Sequence, residues 1–569
     1  MKTVVAIHDV SFTYKNRNIP SISHVNLTIK QGEFVLLTGA TGCGKSTLLK
    51  LLNGLIPHEH AGMITGEILI DGRNTKECSI TQLSQVVGMV FQSPDDQIFS
   101  ITVFDEVAFI LENMGMQPEA VSSRVDEALQ LVGMLEQRDA SVHALSGGQK
   151  QRLAVASVLA ARPKVLVLDE PISQLDPKGA AELLAVLEHV NQKLGMTIII
   201  VEHRLHEVMP LCPRVTVMDK GRVIWDGTRE EAFRCPEIFD THGLRLPQTI
   251  DICRYLGVTA KSALVADAIL AIREKYKLPA GNETGECSRT EWPSGGRNAV
   301  EIERLAFRYE DKGQFVLADI QLTIPAGQFV ALMGNNGAGK STLLQQIGGL
   351  LKPARGQVRV LGQEVDGIRA DVGMVLQNPD FMLFNDTVDD EISFALRQQK
   401  CEKSGRQYCR KLITKLGLEG LERDFPLALS RGQRLRVAIA AVLACQPSVL
   451  LLDEPTTGQD IGHIEDIILL LKDYTAQGGT VIFCTHDTEV AARFAERIII
   501  MCNGRIIADG PGSAVFTRTG LLETAGLKPP AALLVARELY KGKDVTVEEV
   551  VAYVRQECMG SNAGTYTAS

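Results

Sequence analysis

The sequence predicts an α/β chain assembled from one domain pattern used twice, and three observations carry that expectation. The stretch GATGCGKST at Gly39–Thr47 returns as GNNGAGKST at Gly334–Thr342. Each copy follows a short apolar run, FVLLTG or FVALMG, that reads as a buried strand. Each runs into an apolar helical pattern, STLLKLLNGL or STLLQQIGGL. Further stations recur in the same order, Gln92 with Gln377, Asp169 with Asp453 and His203 with His486. Their spacing contracts once, where the first half is longer between its lysine and its glutamine. Two copies of one domain are expected, not a many-repeat solenoid. Runs such as VLVLDE and TIIIVEH alternate with helical stretches, so the chemistry should lie at the strand ends of a mainly parallel sheet.

The repeated loop is a phosphate cradle by its chemistry. A Gly-rich turn lets successive backbone N–H groups converge on an anion, the helix behind it adds its positive end, and a lysine supplies a full charge. The spacing G-x-x-x-x-G-K-S is met by Gly39, Gly44, Lys45 and Ser46, and by Gly334, Gly339, Lys340 and Ser341. ATP phosphates are therefore expected on Gly39, Gly42, Gly44, Lys45, Ser46 and Thr47, and on Gly334, Gly337, Gly339, Lys340, Ser341 and Thr342. The Ser46 and Ser341 hydroxyls would ligate Mg²⁺.

Paired carboxylates end the next strands, in VLVLDEP at Val165–Pro171 and VLLLDEP at Val449–Pro455. Asp169 and Asp453 would hold Mg²⁺ through water, and Glu170 and Glu454 would orient or deprotonate the attacking water. His203 and His486 stand at strand ends where an imidazole can reach a γ-phosphate. Tyr14 in SFTY and Tyr309 in AFRY keep the spacing of the lysines and are expected to stack on adenine, with core packing the alternative reading.

Composition sets outer bounds. The 569 residues suffice for several domains, and 45% hydrophobic with 22% charged residues is ordinary globular usage. No run of 18 or more apolar residues exists. The longest candidate, Val437–Leu452, is broken by Gln446, Pro447 and Ser448, so no membrane crossing is expected. MKTVVAIHDVSF does not read as a secretion signal. A net charge of −9 argues against general nucleic-acid binding. The 12 cysteines are scattered without a C-x-x-C pair, which suits a reducing compartment.

LSGGQKQR at Leu145–Arg152 and its counterpart LSRGQRLR at Leu429–Arg436 are the most specific stretches. Here the chain resembles the ABC transporter ATPase family over essentially both halves. The resemblance implies two P-loop NTPase ABC ATPase domains, each with a helical subdomain, pairing head to tail within one chain around two ATP molecules. One site would join Lys45, Ser46, Gln92, Asp169, Glu170 and His203 to Ser430, Gly432 and Gln433. The other would join Lys340, Ser341, Gln377, Asp453, Glu454 and His486 to Ser146, Gly147, Gly148 and Gln149. Gln92 and Gln377 would also approach the metal, and Asp176 and Asp460 would link the sites. Arg431 replaces the first signature glycine, bringing a Cβ and a charge to a helix N-terminus. Two hydrolysing sites of unequal rate are expected. Gln459, where leucine is usual, reads as a harmless exchange.

FQSPDDQIFSITVFDEVAF and LQNPDFMLFNDTVDDEISF, after the two glutamines, resemble the energy-coupling-factor subgroup of ABC importers, which take up vitamins and transition-metal ions. The resemblance implies an integral membrane coupling subunit, a separate substrate-binding membrane subunit, and a place on the cytoplasmic face of the membrane. Asp95, Asp96 and Asp105, and Asp380, Asp389, Asp390 and Glu391, are expected to meet basic residues of a docked helix. A soluble tandem ABC ATPase acting on ribosomes is the alternative, disfavoured by a short connector that is not strongly basic. THGLRLPQTIDICRYL and TAGLKPPAALLVARELY open two helical stretches that resemble the subgroup's small C-terminal helical domain, and the resemblance implies that in one chain these two tails pack on each other. The expected layout is domain 1 over 1–230, helical extension 1 over 231–280 and a linker over 281–298. Domain 2 follows over 299–515, extension 2 over 516–559 and a disordered tail over 560–569.

Overall fold

The computed structural model describes residues 2–15, 18–173, 175–276, 297–310, 313–399, 402–457 and 459–562. Most of the expected linker and the last seven residues of the expected tail lie outside them. The helix Val547–Asn562 runs into the stretch expected as a disordered tail, and Asn298, expected in the linker, opens a strand.

Each half pairs an antiparallel sheet with a mainly parallel one. In the first half the antiparallel order is Ile22–Lys30, Thr3–Tyr14, Gly62–Ile70, Arg73–Asn74. The six-stranded order is Arg222–Thr228, Arg214–Asp219, Phe34–Gly39, Thr197–Val201, Val165–Asp169, Val87–Val90. The second half repeats both. Leu317–Pro325, Asn298–Phe307, Arg355–Val360 and Gln363–Glu364 form the first sheet. The other runs Arg505–Gly510, Arg497–Cys502, Phe329–Met333, Thr480–Cys484, Val449–Leu452, Val372–Val375. The central strands are buried along their whole length, which is why FVLLT, VLVLD and TIIIV read as unbroken apolar runs rather than alternating ones. A parallel sheet puts the C-terminal ends of these strands at one edge, so the loop after Phe34–Gly39, the carboxylates after Val165–Leu168 and the histidine after Thr197–Val201 become neighbours.

Three helices per half form the helical subdomain: Val103–Asn113, Pro118–Leu131 and Gly147–Ala160, then Val388–Gln399, Glu402–Lys415 and Arg431–Ala444. Gly147–Ala160 buries Leu153–Ala160 on all sides, and its N-terminus closes with a capping box in which Ser146 Oγ accepts from Gln149 N. Such a cap contributes about 1 kcal/mol.

The chain divides into two compact bodies, and the division falls inside expected extension 1. The chain up to Pro247, with Lys261–Ala263, makes the first; Gln248–Ala260 and the chain from Leu264 onward make the second. Helices Gln248–Tyr255 and Val265–Lys275 therefore belong with the C-terminal helices Ala531–Tyr540 and Val547–Asn562. The buried Gln248 side chain accepts from Ala532 N at 2.9 Å, Arg273 donates to Glu538 O at 2.7 Å, and Arg555 donates to Tyr255 O at 2.5 Å. Ile250, Ile252, Ala268 and Ile272 supply the apolar side of this packing.

Candidate functional site

In the first half the phosphate loop is held open by glycine geometry. Gly39 sits at φ 154 with Met218 O so near that an added Cβ would fall 2.2 Å from it, and Gly44 starts the helix Lys45–Leu52 at φ 108. Lys45 is buried and folds its ammonium onto the loop, donating to Gly39 O at 2.8 Å and Ala40 O at 3.0 Å. Cys43 is buried in the same loop, and burial raises its thiol pKa, so it behaves as a packing residue. The Tyr14 hydroxyl lies 3.3 Å from Thr47 Oγ1, which fixes the ring beside the loop, edge-on to Phe12.

Behind the loop the charged residues form one connected set. Ser46 hydrogen-bonds the buried Asp169 carboxylate. Burial, reinforced by the neighbouring Glu170, raises the Asp169 pKa to about 6, against the pull of Ser46 and Lys45. Glu170, at φ 49, takes Gln92 Nε2 at 2.6 Å on one oxygen and lies 3.2 Å from His203 Nε2 with the other. Burial opposes its charge, but His203, Lys45 and Gln92 outweigh that and hold its pKa below the usual value. Two adjacent carboxylates are thus driven apart in acidity. Glu170 is the one held ionised, the state in which a carboxylate can accept a hydrogen bond from water.

The second half rebuilds most of this. Lys340 donates to Gly334 O at 2.8 Å and Asn335 O at 3.0 Å, Gly339 opens its helix at φ 97, and the Tyr309 hydroxyl lies 3.1 Å from Thr342 Oγ1. Ser341 hydrogen-bonds Asp453, whose pKa burial raises. Glu454, at φ 54, lies 2.9 Å from His486 Nδ1. The departure is Gln377, which is exposed and makes no hydrogen bond among the described residues.

The signature stretches are built apart from these sets. Ser146 and Gln149 bond each other, as do Ser430 and Gln433, and no hydrogen bond joins either pair to its own half's phosphate loop among the described residues. A Cβ on Gly147 would meet nothing within 4 Å, so the first half has room for a side chain at the position that corresponds to Arg431. Gln459 makes a bond that a leucine cannot. It is buried and its amide donates to Gly432 O at 2.8 Å, where Leu175 makes only an apolar approach to Gly148. Asp176 and Asp460 both cap the helices that follow them.

Two sequence expectations change. Glu391 does not face outward. Its carboxylate is buried and accepts from Phe384 N at 2.9 Å and Asn385 N at 2.8 Å, as Glu106 does from Phe99 N and Ser100 N. Asp95 and Asp380 are already paired with cations of the signature helices, Lys150 at 2.6 Å and Arg434 at 2.9 Å. Sequence reasoning also passed over Glu202 and Arg204. The signal was present in a carboxylate directly after the fully apolar run TIIIV, beside the histidine.

The comparisons with known proteins agree with this geometry. A family model described as ABC transporter matches residues 22–173 and 317–457. A Methanosarcina acetivorans protein described as an ABC transporter ATP-binding protein is 42% identical over 97% of this chain and 91% of its own length. An Enterococcus faecalis protein of the same description is 32% identical over 98% of this chain and 100% of its own. The structure of cbiO1 from Clostridium perfringens, described as part of the ABC transporter complex cbiONQ, aligns over 45% of this chain and 100% of that one at 36% identity and TM-score 0.39. Among the described residues no helix is long and apolar enough to cross a membrane. With two phosphate loops, two carboxylate pairs and two signature helices in one chain, this protein belongs to the ABC transporter family as an ATPase with tandem ATP-binding domains.

Proposed function

We propose that the chain is the energy-coupling subunit of an importer of the energy-coupling-factor type, hydrolysing ATP to move helices of a membrane partner that carries a vitamin or a transition-metal ion. The observation that carries this reading is a pair of matching exposed aromatic surfaces, one after each glutamine. Phe99 and Phe109 are 64% and 46% exposed with rings 4.6 Å apart, and Phe384 and Phe394 are 66% and 39% exposed with rings 4.9 Å apart. Each rests on a backbone turn pinned by a buried carboxylate, Glu106 or Glu391. Apolar groups presented on a braced turn favour a partner, because the same residues loose on a surface would be covered by collapse. The ion pairs Asp95–Lys150 and Asp380–Arg434 tie each surface to its signature helix, so a movement of that helix carries the surface with it.

At the nucleotide, Lys45 and Lys340 leave their loop carbonyls for phosphate, and the loop N–H groups orient it. Glu170 and Glu454 hold the attacking water and take its proton, while His203 and His486 bridge that carboxylate and the γ-phosphate. Oxygen donors in the pairs Ser46–Asp169 and Ser341–Asp453 suit Mg²⁺, and the Asp453 Oδ1 atom is buried without a hydrogen-bond partner, as a cation-facing oxygen would be. Mg²⁺ would neutralise phosphoryl charge there. Each site is completed by the other half's signature residues, Ser430, Gly432 and Gln433 for the first and Ser146, Gly147, Gly148 and Gln149 for the second. Nucleotide then favours the closed pairing because those contacts exist only in it.

The test is to purify the tagged chain from gently solubilised membranes of its own cell. Integral membrane proteins are expected to accompany it, and to be lost from the variant carrying both Phe99→Ser and Phe384→Ser. Ribosomes without a membrane protein would overturn the reading.

A further inference from the structure

In the first half, the residues on either side of His203 both reach across to the loop that carries Glu170. Glu202 is 1% exposed, and its carboxylate accepts from Ile172 N at 2.9 Å with one oxygen and from His203 N at 3.3 Å with the other. Its own carbonyl takes the Thr38 hydroxyl at 3.0 Å, which anchors it to the strand that leads into the phosphate loop. Arg204 donates to Ile172 O and Leu175 O, both at 2.9 Å. His203 is thus held between two side chains that grip the segment directly after Glu170.

In the second half the two positions beside the histidine carry different residues. Thr485 stands in place of Glu202, and its hydroxyl turns back to accept Asp487 N at 3.1 Å. Asp487 stands in place of Arg204 and caps the following helix, accepting from Glu489 N at 2.9 Å and Val490 N at 3.0 Å. The two halves thus differ on both sides of the histidine, while Glu454 still lies 2.9 Å from His486 Nδ1.

We infer that Glu202 is a positioning residue for hydrolysis in the first half: it clamps the His203 segment to the Ile172 segment, so that histidine and Glu170 keep one relative geometry through the cycle. A buried carboxylate is a costly choice for such a place, since a threonine serves in the second half. Two backbone N–H groups from different segments converge on its two side-chain oxygens, a span that a single hydroxyl lacks. The consequence is asymmetric. The first half carries the carboxyl clamp, and the second carries a threonine in its place.

The inference rests on Glu170 and His203 acting at the reacting phosphate, and the experiment separates the two questions. The full chain with Glu454→Gln, which silences the second half's carboxylate, is compared with the same chain also carrying Glu202→Thr or Glu202→Gln. Steady-state ATPase and equilibrium binding of a fluorescent ATP analogue are measured. Glu202→Thr is expected to lower kcat about tenfold with KM and analogue affinity within about twofold, and Glu202→Gln, which keeps one acceptor oxygen, to fall about threefold. Unchanged kcat in both variants would overturn the clamp. So would parallel loss of turnover and analogue binding with no difference between Thr and Gln, which is the pattern of a residue that only supports the fold. If Glu170→Gln in the same background left turnover intact, the role of Glu170 itself would fall, and the clamp with it.

Discussion

The two halves carry the same candidate site residues and wire them differently. In the first, Gln92, Glu170 and His203 form a hydrogen-bonded chain, backed by Glu202 and Arg204. In the second, Glu454 keeps its histidine, Gln377 stands exposed, and the unusual support lies at the signature end, where Gln459 pins the turn that contains Arg431. Residue identity at a site therefore says what chemistry is available. The neighbours decide how far that geometry is set before nucleotide arrives.

The largest expected effect tests whether both halves hydrolyse. Glu170→Gln together with Glu454→Gln should lower ATPase activity at least about a hundredfold, since removing a positioned general base costs roughly 10²–10⁴ in rate. The single variants should be unequal. Each keeps ATP binding, because the lysines and loops are untouched. Steady-state phosphate release checks this, and two equal single variants would mean that the difference in wiring has no consequence for rate.

Glu202 sharpens the comparison through pH. Burial, with repulsion from Glu170, raises its pKa to about 8, despite the N–H groups of Ile172 and His203 and the charge of Arg204 that favour the anion. The ordinary value is 4.5. Between those pH values the unfolded chain has lost the proton and the folded chain keeps it, so raising pH through this window destabilises the first half. Below it the cost is absent. Glu202→Gln removes that proton uptake, so its stability relative to the wild type should rise from pH 5 to pH 8, by on the order of a few kcal/mol. Urea unfolding at several pH values measures it. A pH-independent difference would show that Glu202 titrates alike in the folded and unfolded chain.

Much of this site was legible in the sequence because its chemistry is local. The phosphate loops, the strand-end carboxylates and the histidines announce themselves by residue type at fixed spacing, and the parallel sheet brings them together for any sequence that forms it. What was not legible depended on direction. Glu391 reads as one more acid in TVDDEISF, yet helix geometry turns it inward onto two backbone N–H groups. Gln459 reads as a swap for leucine, yet its amide meets a carbonyl. The packing of Gln248–Tyr255 and Val265–Lys275 on the C-terminal helices followed from the resemblance of the two tails and not from their periodicity. Periodicity identifies a buried face without naming the partner that buries it.

The glutamines give a smaller contrast. Gln92→Ala removes the 2.6 Å bond to Glu170 and should slow the first half about tenfold, whereas Gln377→Ala, with no bond to lose, should change the second half severalfold less. Each is read in the chain whose other half carries the Glu→Gln change. Equal losses would mean that Gln377 swings onto Glu454 once nucleotide binds, and that the two halves converge in the working state.

The smallest effect concerns the signature with arginine. The Gln459 amide makes one buried bond to Gly432 O, worth about 1 kcal/mol, and its Oε1 atom is buried without a hydrogen-bond partner, a cost of similar size. Gln459→Leu removes both the bond and the orphaned oxygen, so global stability should move by less than about 1 kcal/mol in urea unfolding. Any change should instead appear in turnover, at the nucleotide that Gly432 is proposed to touch. If the first half's site is completed by this signature, the Leu variant should alter turnover of a Glu454→Gln chain severalfold and leave a Glu170→Gln chain nearly unchanged. The reverse pattern would mean that Gln459 serves the site of its own half, and that the head-to-tail pairing is wrong.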